Sequence, residues 1–275
     1  MLTGLIDSSP FSLSTDSDRA TRAGGLRPLA VISALFLSSF LAVGNAIALT
    51  ADFESLLHGE VVSGQIAGVT IDALNPNRSF DYAVAFDSTQ TNTADADLES
   101  NPQGPAYWSG GNLVDTELGI MLIIQENDTG CAVGICSNPD DEGRRPAGDL
   151  GFSFEVPVLD FGFDLVDIES IAAESGYLEF FQGQSSAIVQ LMDFLELGND
   201  RYDSSIVLGN NTANRYAAIT AASVGLENFD RVVLHLGGSG AIDNIQATLV
   251  PEPSTALLLS LGLVGLAARR RSRAH

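Results

Sequence analysis

The chain contains no lysine: its 13 basic residues are all arginine, set against 35 Asp and Glu. Three arginines (Arg19, Arg22, Arg27) sit near the start and four (Arg269, Arg270, Arg271, Arg273) lie in the last seven positions. Between residues 49 and 250 only six arginines face 31 acidic residues, a formal charge of −25. A surface of that sign repels phosphate backbones and anionic headgroups, which argues against nucleic acid as a partner. Two readings of the acidity stay open: plain solubility in an extracellular setting, and a supply of oxygen ligands for a hard cation such as Ca²⁺.

Histidine is nearly as scarce. Of the three (His58, His235, His275), one falls in the tail, one near the expected mature N-terminus and one inside an apolar run. No Gly-x-Ser-x-Gly elbow, P-loop, His-Glu-x-x-His or Rossmann glycine pattern occurs, so nucleophile–base catalysis has little to work with. Paired carboxylates for glycoside hydrolysis stay open, because 31 acids allow many pairs and single out none. The lone tryptophan, Trp108, is either a loop anchor or a stacking platform for a sugar ring.

Two cysteines are present, in Gly130-Cys131-Ala132-Val133-Gly134-Ile135-Cys136. Their spacing exceeds Cys-x-x-Cys and no histidine is near, which disfavours zinc. A local disulfide between Cys131 and Cys136 fits an oxidising compartment, and two free thiols are the alternative.

Both ends read as targeting segments. Residues 29–43 form an uncharged apolar run after Arg27, followed by Ala46-Ile47-Ala48. Small residues at Ala46 and Ala48 fit signal-peptidase cleavage after Ala48, giving a signal peptide over residues 1–48 with an unusually long leader. A retained N-terminal anchor is the alternative.

The C-terminus has three parts in order: Val250-Pro251-Glu252-Pro253-Ser254, an uncharged Leu/Gly-rich run to Ala268, and Arg269-Arg270-Arg271-Ser272-Arg273. The run of 15 residues from Ser254 to Ala268 spans about 22 Å as a helix, short of the roughly 30 Å hydrocarbon core. The arginines favour the cytoplasmic side, so the rest of the chain faces outward. Two prolines around Glu252 keep the approach extended.

This tripartite tail, over residues 250–275, resembles the PEP-CTERM sorting signal. The resemblance implies export across the inner membrane of a Gram-negative bacterium and a transient C-terminal membrane helix. It also implies processing by an exosortase at Pro251, Glu252 and Pro253, with Arg269, Arg270 and Arg271 as the basic stop. Delivery to the cell surface or an extracellular polysaccharide matrix would follow.

Residues 49–249 show little helical periodicity. Short alternating or apolar runs are separated by Gly, Asn, Asp and Pro, the pattern of a β-sandwich. Strands are expected near residues 70–73, 82–86, 121–125, 151–155, 168–173, 177–181, 187–191, 204–208, 231–236 and 241–249. A hairpin is expected to turn at residues 183–186, and a short helix at 191–197. Phe152 with Phe154, and Phe161 with Phe163, should each share a face. Residues 87–109 and 126–149 read as long polar loops.

Leu49-Thr50-Ala51-Asp52-Phe53-Glu54 opens this region and Gly238-Ser239-Gly240-Ala241-Ile242-Asp243-Asn244-Ile245 closes it. These ends resemble the edges of jelly-roll domains related to carbohydrate-binding modules and lectins. There the chain ends lie together and an acid from each holds a structural Ca²⁺; by that resemblance Glu54 and Asp243 are the candidate ligands. The expectation is one all-β, jelly-roll-like sandwich acting as a non-enzymatic surface or matrix protein that binds glycan and Ca²⁺. A glycan-active hydrolase and a purely structural matrix component are the alternatives.

Overall fold

The structure, a computed structural model, describes residues 47–141, 144–170, 176–251 and 262. Ala46 and the rest of the expected signal segment lie outside the described residues. So do Glu252, Pro253, Arg269, Arg270 and Arg271. Among the described residues no helix is long and apolar enough to cross a membrane.

Among the described residues twelve strands follow in order: β1 (Ala48–Ala51), β2 (Val61–Val62), β3 (Val69–Leu74), β4 (Ala83–Asp87), β5 (Ile120–Ile124), β6 (Gly148–Val158), β7 (Asp160–Val166), β8 (Tyr177–Gln182), β9 (Ser185–Gln190), β10 (Ala213–Thr220), β11 (Phe229–Leu236) and β12 (Ala241–Thr248). They form two antiparallel sheets. One has seven strands in the order β10-β7-β12-β5-β4-β2, with β1 also on β12; the other has five, β3-β6-β11-β8-β9. From β6 onward the chain shuttles between sheets, with the hairpin β8–β9 as the one exception. The result is the expected jelly-roll-like all-β sandwich.

Packing explains which runs alternate and which do not. On the five-stranded sheet, β3 (Val-Thr-Ile-Asp-Ala-Leu) buries Val69 and Ile71 and exposes Thr70 and Asp72, because only one face meets the core. The phenylalanines fill the space between the sheets: Phe161 of β7 lies 5.8 Å from Phe152 of β6 and 6.4 Å from Phe180 of β8, ring centre to ring centre. β4 and β5 are apolar on both faces instead. Ala83, Ala85, Leu122 and Ile124 point into the main core, while Val84, Phe86, Met121 and Ile123 enter a second core. That second core contains Leu98, Trp108, Leu118, Cys131 and Cys136. The two long loops therefore cover the outer face of the seven-stranded sheet as a packed layer.

Several elements differ from expectation. β7 occupies residues 160–166 and stops at Asp167, whose φ of 61° breaks an extended chain. Residues 168–170 form no strand, and 171–175 lie outside the described set. Residues 204–208 form no strand either; the Asn214 side chain brackets Val207, accepting from its N–H at 2.9 Å and donating to its carbonyl at 2.8 Å. An amide side chain there does what a strand neighbour would do. The β8–β9 hairpin forms as expected, turning on Gly183 and Gln184, with Gly183 at φ 58°. Residues 191–194 make a single 3-10 turn in place of the longer helix.

Candidate functional site

β1 and β12 pair antiparallel, Leu49 opposite Ala247 and Ala51 opposite Ile245, so the two ends of the sandwich lie side by side. Ala48 is the first residue of β1 and pairs with Thr248. Cleavage after it would leave Leu49, Thr50 and Ala51 in the strand.

The chain leaves β1 through Phe53, at φ 57° with its ring fully buried. A bulky residue in left-handed geometry is costly unless packing holds it, and here the core does. The turn directs Glu54 outward, where its carboxylate accepts the Ile120 N–H at 2.9 Å. Gly119, at φ 68°, leaves room for that carboxylate, since a Cβ there would collide with it.

Asp243 lies beneath this point on β12, directly opposite Asp164 of β7. It is fully buried. Among the described residues its carboxylate accepts from its neighbour Asn244, from the backbone N–H at 2.6 Å and the side-chain amide at 2.9 Å. Burial pushes Asp243 up to about 9, and the negative charges of Asp164, Glu54 and Asp52 add to the rise. Asn244 takes φ 48°, and the β12–β7 register slips between Asp243 and Gln246, a bulge that turns Asn244 toward a surface groove. Asp52, Glu54, Asp87 and Glu117 line that groove of about 580 Å³ together with Asn244. The two ligands expected from the sequence, Glu54 and Asp243, are thus close enough for the Glu54 charge to act on Asp243, and further acids gather around them. Among the described residues, no three Asp, Glu, His or Cys side chains already stand at ligand spacing around one point. A cation here would complete its shell with carbonyls and water, as Ca²⁺ commonly does.

Trp108 is an anchor: it is buried, and its indole N–H donates to the Thr116 carbonyl at 2.7 Å. It offers no platform to a sugar. A better platform lies beside β10, where Tyr202 is 40% exposed and borders a cleft of about 500 Å³. Phe194 and Ile219 contribute apolar lining there, and Asp200, Arg201 and Thr220 add polar groups. Nothing in the sequence singled out Tyr202, because an aromatic in an Asn/Asp-rich turn is an ordinary turn residue. His235 is a face residue of β11: Tyr177 stacks on it at 4.1 Å, and its Nδ1 meets the Asp149 carboxylate at 2.6 Å. Cys131 and Cys136 are joined as a disulfide within the second core.

Residues 249–271 match the PEP-CTERM protein-sorting motif. The motif implies an exported protein processed by an exosortase, with a C-terminus held at the membrane transiently. It begins one residue after β12 ends at Thr248, so the sorting signal is appended directly to the last strand. No curated protein matches the chain. Among solved structures, the chain is similar to the K2 cleaved adhesin domain of Lys-gingipain (Kgp), at 12% identity and a TM-score of 0.37, covering 74% of this chain and 98% of that one. At that TM-score nothing further about this chain is drawn from the likeness.

Proposed function

We propose that this chain is a non-enzymatic surface or matrix protein whose sandwich is displayed by exosortase processing and contacts extracellular polysaccharide. The observation that carries this reading is the junction: the last core strand runs into the sorting motif with no linker between them. Signal peptidase at Ala46 and Ala48 and the exosortase at Pro251, Glu252 and Pro253 are the processing partners, with Arg269, Arg270 and Arg271 as the stop on the inner side of the membrane. The Tyr202 cleft supports glycan contact, since it joins an exposed ring and apolar lining to a few polar groups. The groove at Glu54 and Asp243 supports a structural Ca²⁺, because a buried carboxylate without a cation in hydrogen-bonding reach is stabilised by a divalent ion.

Mass spectrometry of the protein recovered from producing cells tests the routing: a C-terminus at or near Pro251–Pro253 is expected, and an intact arginine tail would overturn it. Cosedimentation with isolated exopolysaccharide tests the contact. Binding that Tyr202→Ala weakens at least tenfold, with no release of reducing ends, is expected. Reducing-end release abolished by one Asp or Glu substitution would instead make the chain a hydrolase.

A further inference from the structure

The outer layer holds a buried pair of acids that shares no residue with the groove at Glu54 and Asp243. Asp95 comes from the first long loop and Asp141 from the second, and neither is more than 1% exposed. The Asp141 N–H donates to Asp95 Oδ2 at 3.2 Å, and Asp141 Oδ2 accepts the N–H of Gly240, in the β11–β12 turn, at 2.7 Å. Each carboxyl thus has one oxygen occupied by a backbone N–H. The other two, Asp95 Oδ1 and Asp141 Oδ1, are buried and find no donor among the described residues. Yet the two side chains lie within hydrogen-bonding reach of each other.

Two leftover acceptors in contact need one donor, and a single proton supplies it. It satisfies both oxygens and removes one of two like charges. The surrounding groups favour that state. Asp141 is pushed well up, first by burial and then by Asp95, with Asp167 of the β7 end contributing. Asp167 is itself pushed up to about 7 by burial, with Asp97 and Asp95 adding their charge. Asp97 lies in the 3-10 turn Ala96–Leu98, and Glu99 just after it is turned to the N–H and hydroxyl of Thr93. No base acts on Asp141 or Asp167.

We propose that Asp95 and Asp141 share one proton and form a latch between the two long loops, closed while the proton is held and opened by its loss. Closed, the pair ties the loops to each other and, through Gly240, to the seven-stranded sheet. With the proton gone, two charges meet in a site without water and the outer layer loosens. The folded pair keeps its proton where an unfolded Asp, at ~3.9, has lost it. Its contribution is therefore greatest in acid and drains away as pH rises through the pair's own titration.

Trp108 is the chain's one tryptophan and is buried in this layer, so acrylamide quenching of the full-length chain in detergent reads the latch. Wild-type quenching should rise about threefold between about pH 5 and about pH 9 with far-UV circular dichroism unchanged, as for a local opening. Asp141→Asn puts an amide where the proton sits: its oxygen keeps the Gly240 N–H and its NH₂ donates to Asp95 Oδ1. Asp95→Asn does the same in reverse. Each single variant should hold the layer closed at both pH values. The double variant turns two NH₂ groups toward each other and should be open at both. Relief of charge without a shared proton would leave the double variant as closed as the singles, and that result would overturn the proposal. Wild-type quenching that ignores pH, or single variants that keep the wild-type rise, would overturn it too. Should the variants not fold, ¹³C-carboxyl NMR of the wild type decides. The Asp95 and Asp141 carboxyl carbons should shift in the same step, and separate steps would count against a shared proton.

Discussion

The two sheets treat negative charge in opposite ways. On the five-stranded sheet, two acids sit near the surface with a base beside them: Arg231 grips Asp72 through two bonds of 2.7 Å and also reaches the Ser153 hydroxyl, and His235 answers Asp149. On the seven-stranded sheet and its covering loops, Asp95, Asp141, Asp164, Asp167 and Asp243 are all essentially inaccessible to water. Of these five, Asp164 has a cationic hydrogen-bond partner, Arg215, whose side chain bonds both its oxygens. Surface pairs gain little because water already solvates the ions, whereas buried acids depend on whatever replaces water. Where the protein supplies no replacement, a ligand has a reason to bind.

The sharpest way to break the comparison is to delete one arginine from each sheet. Arg215→Ala leaves Asp164 buried with Asn244 as its remaining side-chain donor. The expected loss is ~3–5 kcal/mol of unfolding free energy, read from urea midpoints. A loss below ~1 kcal/mol would mean that water reaches Asp164 and that the contrast between the sheets is weaker than burial indicates.

The next largest effect is on pH dependence. Asp243 is raised to about 9 and Asp167 to about 7, against ~3.9 in an unfolded chain. Between those values the folded chain holds protons that the unfolded chain has released. These groups therefore contribute most to stability below pH ~4, and that contribution drains away as pH rises toward each folded value. In EDTA the protein should be less stable above neutrality than below it, and Asp243→Asn should flatten the profile. Ca²⁺ should oppose the Asp243 part of the trend, because it binds the deprotonated acid. Urea unfolding on both sides of neutrality, with chelator and with Ca²⁺, measures this. Identical profiles in the two conditions would leave Asp243 with no link to a cation.

The sequence shows this division only in part. The sandwich is legible where strands bury one face, as in β3 and β8, and where aromatics alternate, as at Phe161 and Phe163. β10 (Ala-Asn-Arg-Tyr-Ala-Ala-Ile-Thr) is not legible. Its buried Tyr216 and Ile219 are three apart because the pairing with β7 shifts between them, which removes the period of two. Glu54 and Asp243 are legible because each lies in a short motif at a chain end, and antiparallel pairing of those ends brings them together. Asp95, Asp141 and Asp167 are not, being three among 31 acids and drawn from two polar loops and a strand end. Only the loops' packing over Val84, Phe86, Met121 and Ile123 buries them, and a composition rich in Asp, Asn and Gly hides that packing.

The smallest effect completes the comparison. Arg231 is about one third exposed and Asp72 about half, so Arg231→Ala should cost ~0–1 kcal/mol. The bidentate geometry and the added bond to Ser153 place it toward the upper end of that range. Added salt should shrink the difference between Arg231→Ala and wild type, because a pair open to solvent is screened within about 8–10 Å. The Arg215→Ala deficit should persist at the same salt, since desolvation of Asp164 dominates it. A cost for Arg231→Ala that matches Arg215→Ala and resists salt would place both pairs in one class. Asp243 would then have no special claim to a ligand.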